Sequence, residues 1–471
     1  MLNNKKIISG LSFLIIFTLI FSFTTEKLRA ESISPEKAIE IGLKNSAEIE
    51  DLKNNIDQIK RNIESVKAQK DWKIDFAGEY THHFDEEDNL ALEEKSDSSI
   101  NQDSISITAN KLYDFGLSFN PALRVTEDDE RIDLSLTQQL YPITNSELEN
   151  QLYNLKKDLI NAEEELKNIK ASKIITWVQS YLNIVRMKER EKIYLESVKK
   201  AEDNLKKVKK EKNIGEAGEN QLLTAKYSLE DAKYKLKEQR YNIDESINSF
   251  ENELGLNGKM NILFQSENNF ILNLKEKTNK ITGEYLNNEN LLSLVEKNNS
   301  SLKTIKLDRK ILERELENLK KEDDLNIRIT GKYDTLSENL TATIDFSYNL
   351  YDGGKHGINL ESKKASLKNN INNYEDKVRK LKLDLENHLN KLSLDKDRLA
   401  KEELNYKRSK NELDIAEIKY DRGIIDYLEY QDNWIVARES GINLKSIKDT
   451  IFINKLEFIK FVNSENITGG F

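Results

Sequence analysis

Asp426, Glu429 and Asp432 follow Gly423 at intervals of three residues. On a helix that spacing sets three carboxylates along one face. Such a stripe attracts cations. It also has a plainer reading, as the solvated acidic start of a helix, where the positive end of the helix dipole favours carboxylates. Other chemistry is hard to find. The chain has no cysteine, which removes disulfides, thiolate metal sites and thiol nucleophiles. His82 and His83 sit side by side with no carboxylate at a ligand spacing, and His356 and His388 stand far apart in helical runs. There is no Gly-rich phosphate loop, no Gly-x-Ser-x-Gly and no His-Glu-x-x-His. These residues point to no catalysis, no cofactor and no resident metal ion.

The acidic stripe hangs on a reversal. Tyr420-Asp421-Arg422-Gly423 lies between two long helical runs, and Gly423 is the only glycine between Gly357 and Gly441. Its counterpart is Gly215-Glu216-Ala217-Gly218. Both stretches read as tight turns between antiparallel helices, with Gly215, Gly218 and Gly423 relieving backbone strain. Lys206-Lys207-Val208-Lys209-Lys210, just before the first turn, reads as a solvated helix face.

The two turns belong to a duplicated unit. A shift of 253 residues carries Ile39 onto Leu292, Ile49 onto Leu302, Ile59 onto Leu312 and Gly78-Glu79-Tyr80 onto Gly331-Lys332-Tyr333. Further on, a shift of 208 carries Gly215 onto Gly423 and Phe250 onto Phe458. The first copy therefore holds an insertion, which falls within about residues 85–130 by the change in shift. Each copy reads helix, strand, strand, long helix, turn, helix. The expected division is 1–30 signal peptide, 31–255 first repeat, 256–283 linker, 284–463 second repeat and 464–471 tail. Helical periodicity, with apolar residues every three or four, gives short helices over Pro35–Asp71 and Glu284–Asp323, and return helices over Asn220–Leu254 and Ile425–Val462. The runs before the turns extend over about 66 residues, near 100 Å each.

Period-two alternation marks the strands, about 73–141 in the first copy and 325–350 in the second. Ile74, Phe76 and Tyr80 alternate with Lys73, Asp75 and Glu79, and Leu340, Ile344 and Phe346 alternate with Thr341, Thr343 and Asp345. Their length suits a tilted bilayer crossing. The insertion holds a further hairpin over 103–125, whose Pro121 suggests an edge or a protruding loop. The flank Asp85-Glu86-Glu87-Asp88 reads as a solvated loop, and Thr144-Asn145-Ser146-Glu147 as a capping box.

Composition points outward from the cytoplasm. Lys5 and Lys6 precede an apolar run from Ile7 to Phe23, closing at Leu28-Arg29-Ala30, the order of a secretory signal peptide. The run is marginal as an uncleaved membrane anchor. Removing the four bases and one acid of this segment takes the net charge from −10 to −13. An acidic chain argues against nucleic-acid binding. With 33% charged residues, 37% hydrophobic and three prolines, long exposed helices fit better than a large compact core. No second apolar run is long enough for a transmembrane helix, so a membrane crossing requires a β-barrel. Four strands do not close one, and open edges are not tolerated in lipid. Several copies must share the barrel. Three give twelve strands if the insertion stays outside the membrane, or eighteen if its hairpin joins.

The sequence resembles the TolC family of outer-membrane efflux and secretion channels, over about Ser34 to Asn463. The resemblance is carried by "ISPEKAIEIGLKNSAEI", by the strand-to-helix junction "IDFSYNLYDGGKHG", by Tyr420-Asp421-Arg422-Gly423 with Tyr427-Leu428 and Asp432, and by Gly215 followed by Leu222-Leu223-Thr224-Ala225 and Leu254-Gly255. It departs from the family at Gln431-Asp432-Asn433, at Leu140-Tyr141-Pro142 and at the inserted hairpin. The resemblance implies a mainly α fold with a shared membrane β-barrel of four strands per protomer, or six, and a long periplasmic α-helical barrel. It implies a homotrimer in the outer membrane that extends into the periplasm and contacts outer-membrane lipid. Its partners would be a periplasmic adaptor (membrane fusion) protein and an inner-membrane transporter of RND, ABC or MFS type. It implies that Asp426, Glu429 and Asp432 line the periplasmic aperture, that Arg422 and Tyr420 hold it shut, and that Gly215, Gly218 and Gly423 mark adaptor-docking turns. The rival architectures are a periplasmic coiled-coil adaptor and a surface structural protein without a channel. Neither calls for paired amphipathic strands recurring in two copies.

Overall fold

The computed structural model describes residues 33–81, 102–113, 116–126, 129–142, 147–256, 262–265, 268–321 and 325–468. The signal segment, His82-His83, the acidic flank at 85–88 and residues 144–146 of the capping box lie outside the described residues.

Helix α1 (Pro35–Asn45) starts at Ser34, whose Oγ accepts the Lys37 N–H at 3.2 Å, with proline at the first helical position. The helix expected over Pro35–Asp71 is interrupted at the Asn45-Ser46 turn that the resemblance implies. The chain breaks at Ser46 and restarts as α2 (Ala47–Ala68), Ser46 Oγ accepting the Ile49 N–H at 3.4 Å. The second copy does the same. Helix α6 (Leu291–Asn298) gives way to α7 (Ser300–Lys321) at Asn299, whose Oδ1 accepts the Leu302 N–H at 3.0 Å. Asn299 is the residue that the 253 shift places on Ser46. A short polar side chain that caps a new helix competes with continuation of the old one.

The long helices are α3 (Glu147–Asn213) and α8 (Lys355–Asp421), 67 residues each. Their return helices are α4 (Glu219–Glu253) and α9 (Tyr427–Val462), and α9 is followed by the single turn α10 (Glu465–Thr468). Helix α5 (Asn269–Leu286) runs through the boundary expected at 283 and buries Ile271, Thr278 and Thr282.

Strands β1 (Lys73–Thr81), β2 (Gln102–Leu112), β3 (Leu117–Thr126), β4 (Glu130–Tyr141), β5 (Leu325–Asp334) and β6 (Asn339–Tyr348) form one antiparallel sheet in chain order. The sheet thus has six strands, and the inserted hairpin β2–β3 lies inside it rather than outside a sheet of four. Pro121 is correspondingly not at an edge. It pairs with Leu134 of β4, while on the β2 side the register skips from Thr108↔Ala122 to Lys111↔Phe119. The residue without an N–H falls in that gap. The Asn110 and Asn120 side chains hydrogen-bond across the same gap.

Register fixes the faces. Ile74, Phe76 and Gly78 stand opposite Ala109, Ile107 and Ile105. Ile105 and Ile107 stand opposite Val125 and Leu123, and Phe119 and Leu123 opposite Leu136 and Ile132. Leu134 and Leu136 meet Tyr333 and Gly331, and Ile329 meets Ile344. Because directly paired residues share a face, one side of the sheet is mainly apolar across the six strands, with Asp103, Lys111, Glu130 and Gln138 as its polar exceptions. The other side carries Thr108, Ala122, Asp133, Asp334 and their polar neighbours.

Two compact units divide the chain. One comprises the described residues within 33–50, 167–291 and 386–468. Its core joins Ala38 and Ile39 of α1, Ile174, Trp177, Val178 and Tyr181 of α3, Phe250 of α4 and Phe452, Leu456 and Ile459 of α9. Gly42 is pressed into this core. A Cβ there would lie 2.5 Å from Leu254 Cδ2 and 3.0 Å from the Trp177 ring. The same unit buries Arg186, whose Nε donates to Asp449 Oδ2 at 2.7 Å and whose guanidinium also donates to Glu189 at 2.8 Å. Lys275 and Lys445 complete the network on Asp449 and Glu189, tying α3, α5 and α9 together.

The other unit comprises residues 51–166 and 292–385. It holds the sheet and a thin seam in which Ile56, Ile59, Ile63 and Ala162 pack with Leu152, Leu155 and Leu159. Ion pairs Lys157–Asp308, Lys363–Glu315 and Arg314–Glu149 bind the helices flanking it.

Candidate functional site: the two helix turns

Both reversals are built alike. Gly215 has φ +82° and Gly423 φ +71°. Each receives the chain from a long helix and is followed by an N–H that reaches back five residues, Glu216 to the Glu211 carbonyl at 2.8 Å and Ile424 to the Lys419 carbonyl at 2.9 Å. This is the Schellman closure, which places glycine in the left-handed region. Gly218 differs from expectation. Its φ is −85°, and it is the N-cap of α4, with the Gln221 side chain accepting its N–H at 2.8 Å. No strain is relieved there. At the matching position, 208 residues on, stands Asp426.

Asp426 is the N-cap of α9. Its Oδ1 accepts the Glu429 N–H at 2.9 Å. The three carboxylates are therefore not a stripe on a continuous helix, since Asp426 precedes the helix and Glu429 lies in its first turn. All three are exposed. They flank a buried seam of Gln431, Trp434 and Ala437, through which α9 packs against α3, and Gln431 Nε2 donates to Ser197 Oγ at 2.8 Å. Asp432 faces α4. It adds to the field that holds the Lys235 ammonium above its ordinary range, an effect led by Lys235's hydrogen bond to Asp231. Arg422 is exposed at the turn.

Tyr420 belongs to a cluster that sequence reasoning missed. Its ring stacks on Tyr430 at 5.0 Å and meets Tyr427 edge-on at 6.1 Å. Lys207 of α3 lies 5.7 Å from the Tyr420 ring, and Lys200 lies 5.5 Å from Tyr430 and 5.2 Å from Trp434. Cations over ring faces are attracted by the ring quadrupole. The Tyr427 hydroxyl is enclosed without a hydrogen-bond partner among the described residues, and its pKa is pushed up, first by burial and then by Tyr420, Tyr430 and Asp203. The signal for the cluster was present in the spacing Tyr420, Tyr427, Tyr430, Trp434. It went unread because two of these side chains lie on opposite sides of a turn. Lys207, read as a solvated residue, is in part an aromatic contact. Each turn also bares one apolar side chain, Ile214 at 70% exposure and Ile424 at 65%.

Among the described residues no group of histidine, aspartate or glutamate is arranged to hold a metal ion, and no helix is long and apolar enough to cross a membrane.

The chain shares its fold with outer-membrane channels. It matches CusC, described in crystal structures of its folding and transmembrane channel formation, with a TM-score of 0.61 and 12% identity over 91% of each chain. It matches the CmeC outer membrane channel of Campylobacter jejuni with a TM-score of 0.60 and 14% identity, over 91% of this chain and 85% of that one. It matches the outer membrane protein VceC of Vibrio cholerae with a TM-score of 0.57 and 12% identity, over 91% and 95%. The fold is that of the TolC-type outer membrane factors. Residues 312–436, from within α7 through the turn at Gly423 into α9, match the family described as outer membrane efflux protein. Both findings support the resemblance read from the motifs. No curated protein matches the sequence.

Proposed function

We propose that this chain is one protomer of a homotrimeric outer-membrane channel-tunnel. It conducts substrates passively to the cell exterior from a periplasmic adaptor and an inner-membrane transporter, in efflux or type I secretion. The family match and the channel fold support an outer membrane efflux channel in general terms. The observation that carries the finer reading is the sheet. Among the described residues its first and last strands, β1 and β6, are unpaired on one side, yet they bear Phe76, Leu340 and Phe346, each more than 70% exposed. An open apolar sheet of this kind is stable only where its edges meet other copies and its apolar face meets lipid. The helices carry matching surfaces. Tyr227, Tyr234 and Tyr241 lie exposed at heptad spacing on α4, and Leu394, Leu404 and Ile415 lie exposed on α8. Stripes of this spacing suit helix–helix packing between copies.

In this reading the turn at Gly423 is the periplasmic aperture. Three copies of Asp426, Glu429 and Asp432 would make it attractive to cations. Arg422, exposed at the turn, would bind a neighbouring copy's acidic residue and hold the aperture shut. The adaptor would dock at the turns around Gly215, Gly218 and Gly423, where Ile214 and Ile424 offer apolar contact. The test of the whole reading is fractionation. A heat-modifiable trimer extracted by detergent from the outer membrane, which opens ion-conducting channels in planar bilayers, is the expected result. A soluble monomer overturns it.

A further inference from the structure

The inserted hairpin distinguishes this sheet, and it continues both of its faces. On β2 and β3, Ile105, Ile107, Leu123 and Val125 extend the apolar side without a break between Phe76 of β1 and Ile132 of β4. Ser106 and Thr108 extend the polar side. Strand β2 pairs with β1 from Lys73↔Asn110 to Thr81↔Gln102, along the whole length of β1. A hairpin standing clear of a barrel would have no reason to keep one face apolar through its middle, from Ile105 to Ala109 on β2, with charge on that face only at Asp103 and Lys111 near the strand ends. We infer that β2 and β3 are barrel wall, so that three copies of this six-stranded sheet close an eighteen-stranded barrel rather than a twelve-stranded one. The inference rests on the channel reading above and deepens it.

The consequence is width. Strands about 4.8 Å apart and tilted by about 40° each take up roughly 6 Å of circumference. Twelve strands then close at about 24 Å between backbone centres, and eighteen at about 36 Å. The polar side pairs its charges, with Lys73 beside Asp75 at 3.1 Å, Arg131 beside Asp133 at 3.3 Å and Arg328 near Asp345 at 3.7 Å. A wide lumen with balanced charge imposes little charge selection at the outer mouth. It suits bulky polar cargo, such as polypeptides or large conjugates, as well as small solutes.

The absence of native cysteine makes the test clean. Ile107→Cys and Thr108→Cys report on β2, and Phe346→Cys and Thr343→Cys report on β6. Each full-length variant is labelled in outer membranes with a charged, membrane-impermeant maleimide, and the number of copies per detergent-extracted particle is measured by native mass spectrometry. The expected result is a trimer in which Thr108→Cys and Thr343→Cys react while Ile107→Cys and Phe346→Cys stay protected. If β6 alternates but both β2 positions react, the hairpin is outside the wall and only this inference fails. If both β6 positions react, the channel reading itself fails. A copy number other than three overturns the count of eighteen. A second variant lacking residues 102–126 would let β1 pair with β4 in the same antiparallel sense. It should remain a trimer, and its channels should exclude poly(ethylene glycol) of smaller size than the full-length channels do. An unchanged exclusion limit counts against the wider barrel.

Discussion

Asp426 caps a helix and also brings charge to the turn, and substitution separates the two roles. Asp426→Ala removes the acceptor for the Glu429 N–H and should cost about 1 kcal/mol of stability, read as a lower melting temperature. Asp426→Asn keeps a capping oxygen and removes only the charge. If the aperture reading holds, the double variant Asp426→Asn, Asp432→Asn should keep its melting temperature and lose cation preference in single-channel recordings. Unchanged selectivity would remove both residues from the aperture. The glycines make a second prediction. Gly215→Ala and Gly423→Ala force a Cβ into left-handed backbone and should cost about 1–2 kcal/mol each. Gly218→Asp, at φ −85° in open space, should be neutral or slightly stabilising. Thermal denaturation of the three variants checks the order. At this scale the sequence showed where the acidic residues sit but not what each does. Interval-of-three spacing placed Asp426, Glu429 and Asp432 together, but it does not tell an N-cap from a helical residue. Lys235, whose ammonium feels the Asp432 charge, lies on another helix.

The elements were more legible. Apolar recurrence located α3, α4, α8 and α9 closely, because a helix of many turns repeats its signal many times. The break at Asn299 was harder to see than the motif turn at Asn45-Ser46 that it repeats, since a single polar residue decides it. Pro121 was misleading for a physical reason. Proline is excluded from an interior strand only where its N–H would have paired, and the gap beside β2 removes that demand. Long-range contacts left no local trace, as with Arg186 and Asp449, 263 residues apart. Two substitutions probe this packing. Gly42→Ala drives a methyl into Leu254 and Trp177 and should cost about 1–3 kcal/mol. Asp449→Ala leaves Arg186 and Lys275 without their shared carboxylate and should cost about 3 kcal/mol or more. Asp449→Asn should fall between wild type and alanine. Denaturant titration of the detergent-solubilised protein checks both.

For the whole molecule, the sheet supplies the sharpest contrast. Phe346→Arg puts a charge on the apolar face and Thr343→Arg puts the same charge on the polar one. On a barrel wall the first should cost about 2–4 kcal/mol near the bilayer midplane and the second little. On the proposed channel reading the measurement is the yield of heat-modifiable trimer in the outer membrane, which should fall for Phe346→Arg alone. Strand order in the sheet also bears on timing. Every neighbouring pair consists of strands consecutive in the chain, and only between β4 and β5, at Leu134 and Tyr333, does the chain pass through α3 to α7. A chain emerging from its N-terminus completes β1 to β4 long before residue 325 arrives. Throughout that interval β4 presents a bare hydrogen-bonding edge on an apolar sheet, the kind of surface that aggregates. Chains truncated at residue 290 should therefore aggregate or be held by a periplasmic chaperone, as sedimentation and co-purification would reveal. If the chain is exported as the channel reading requires, the wait for β5 makes that passage a period of dependence on whatever shields that edge.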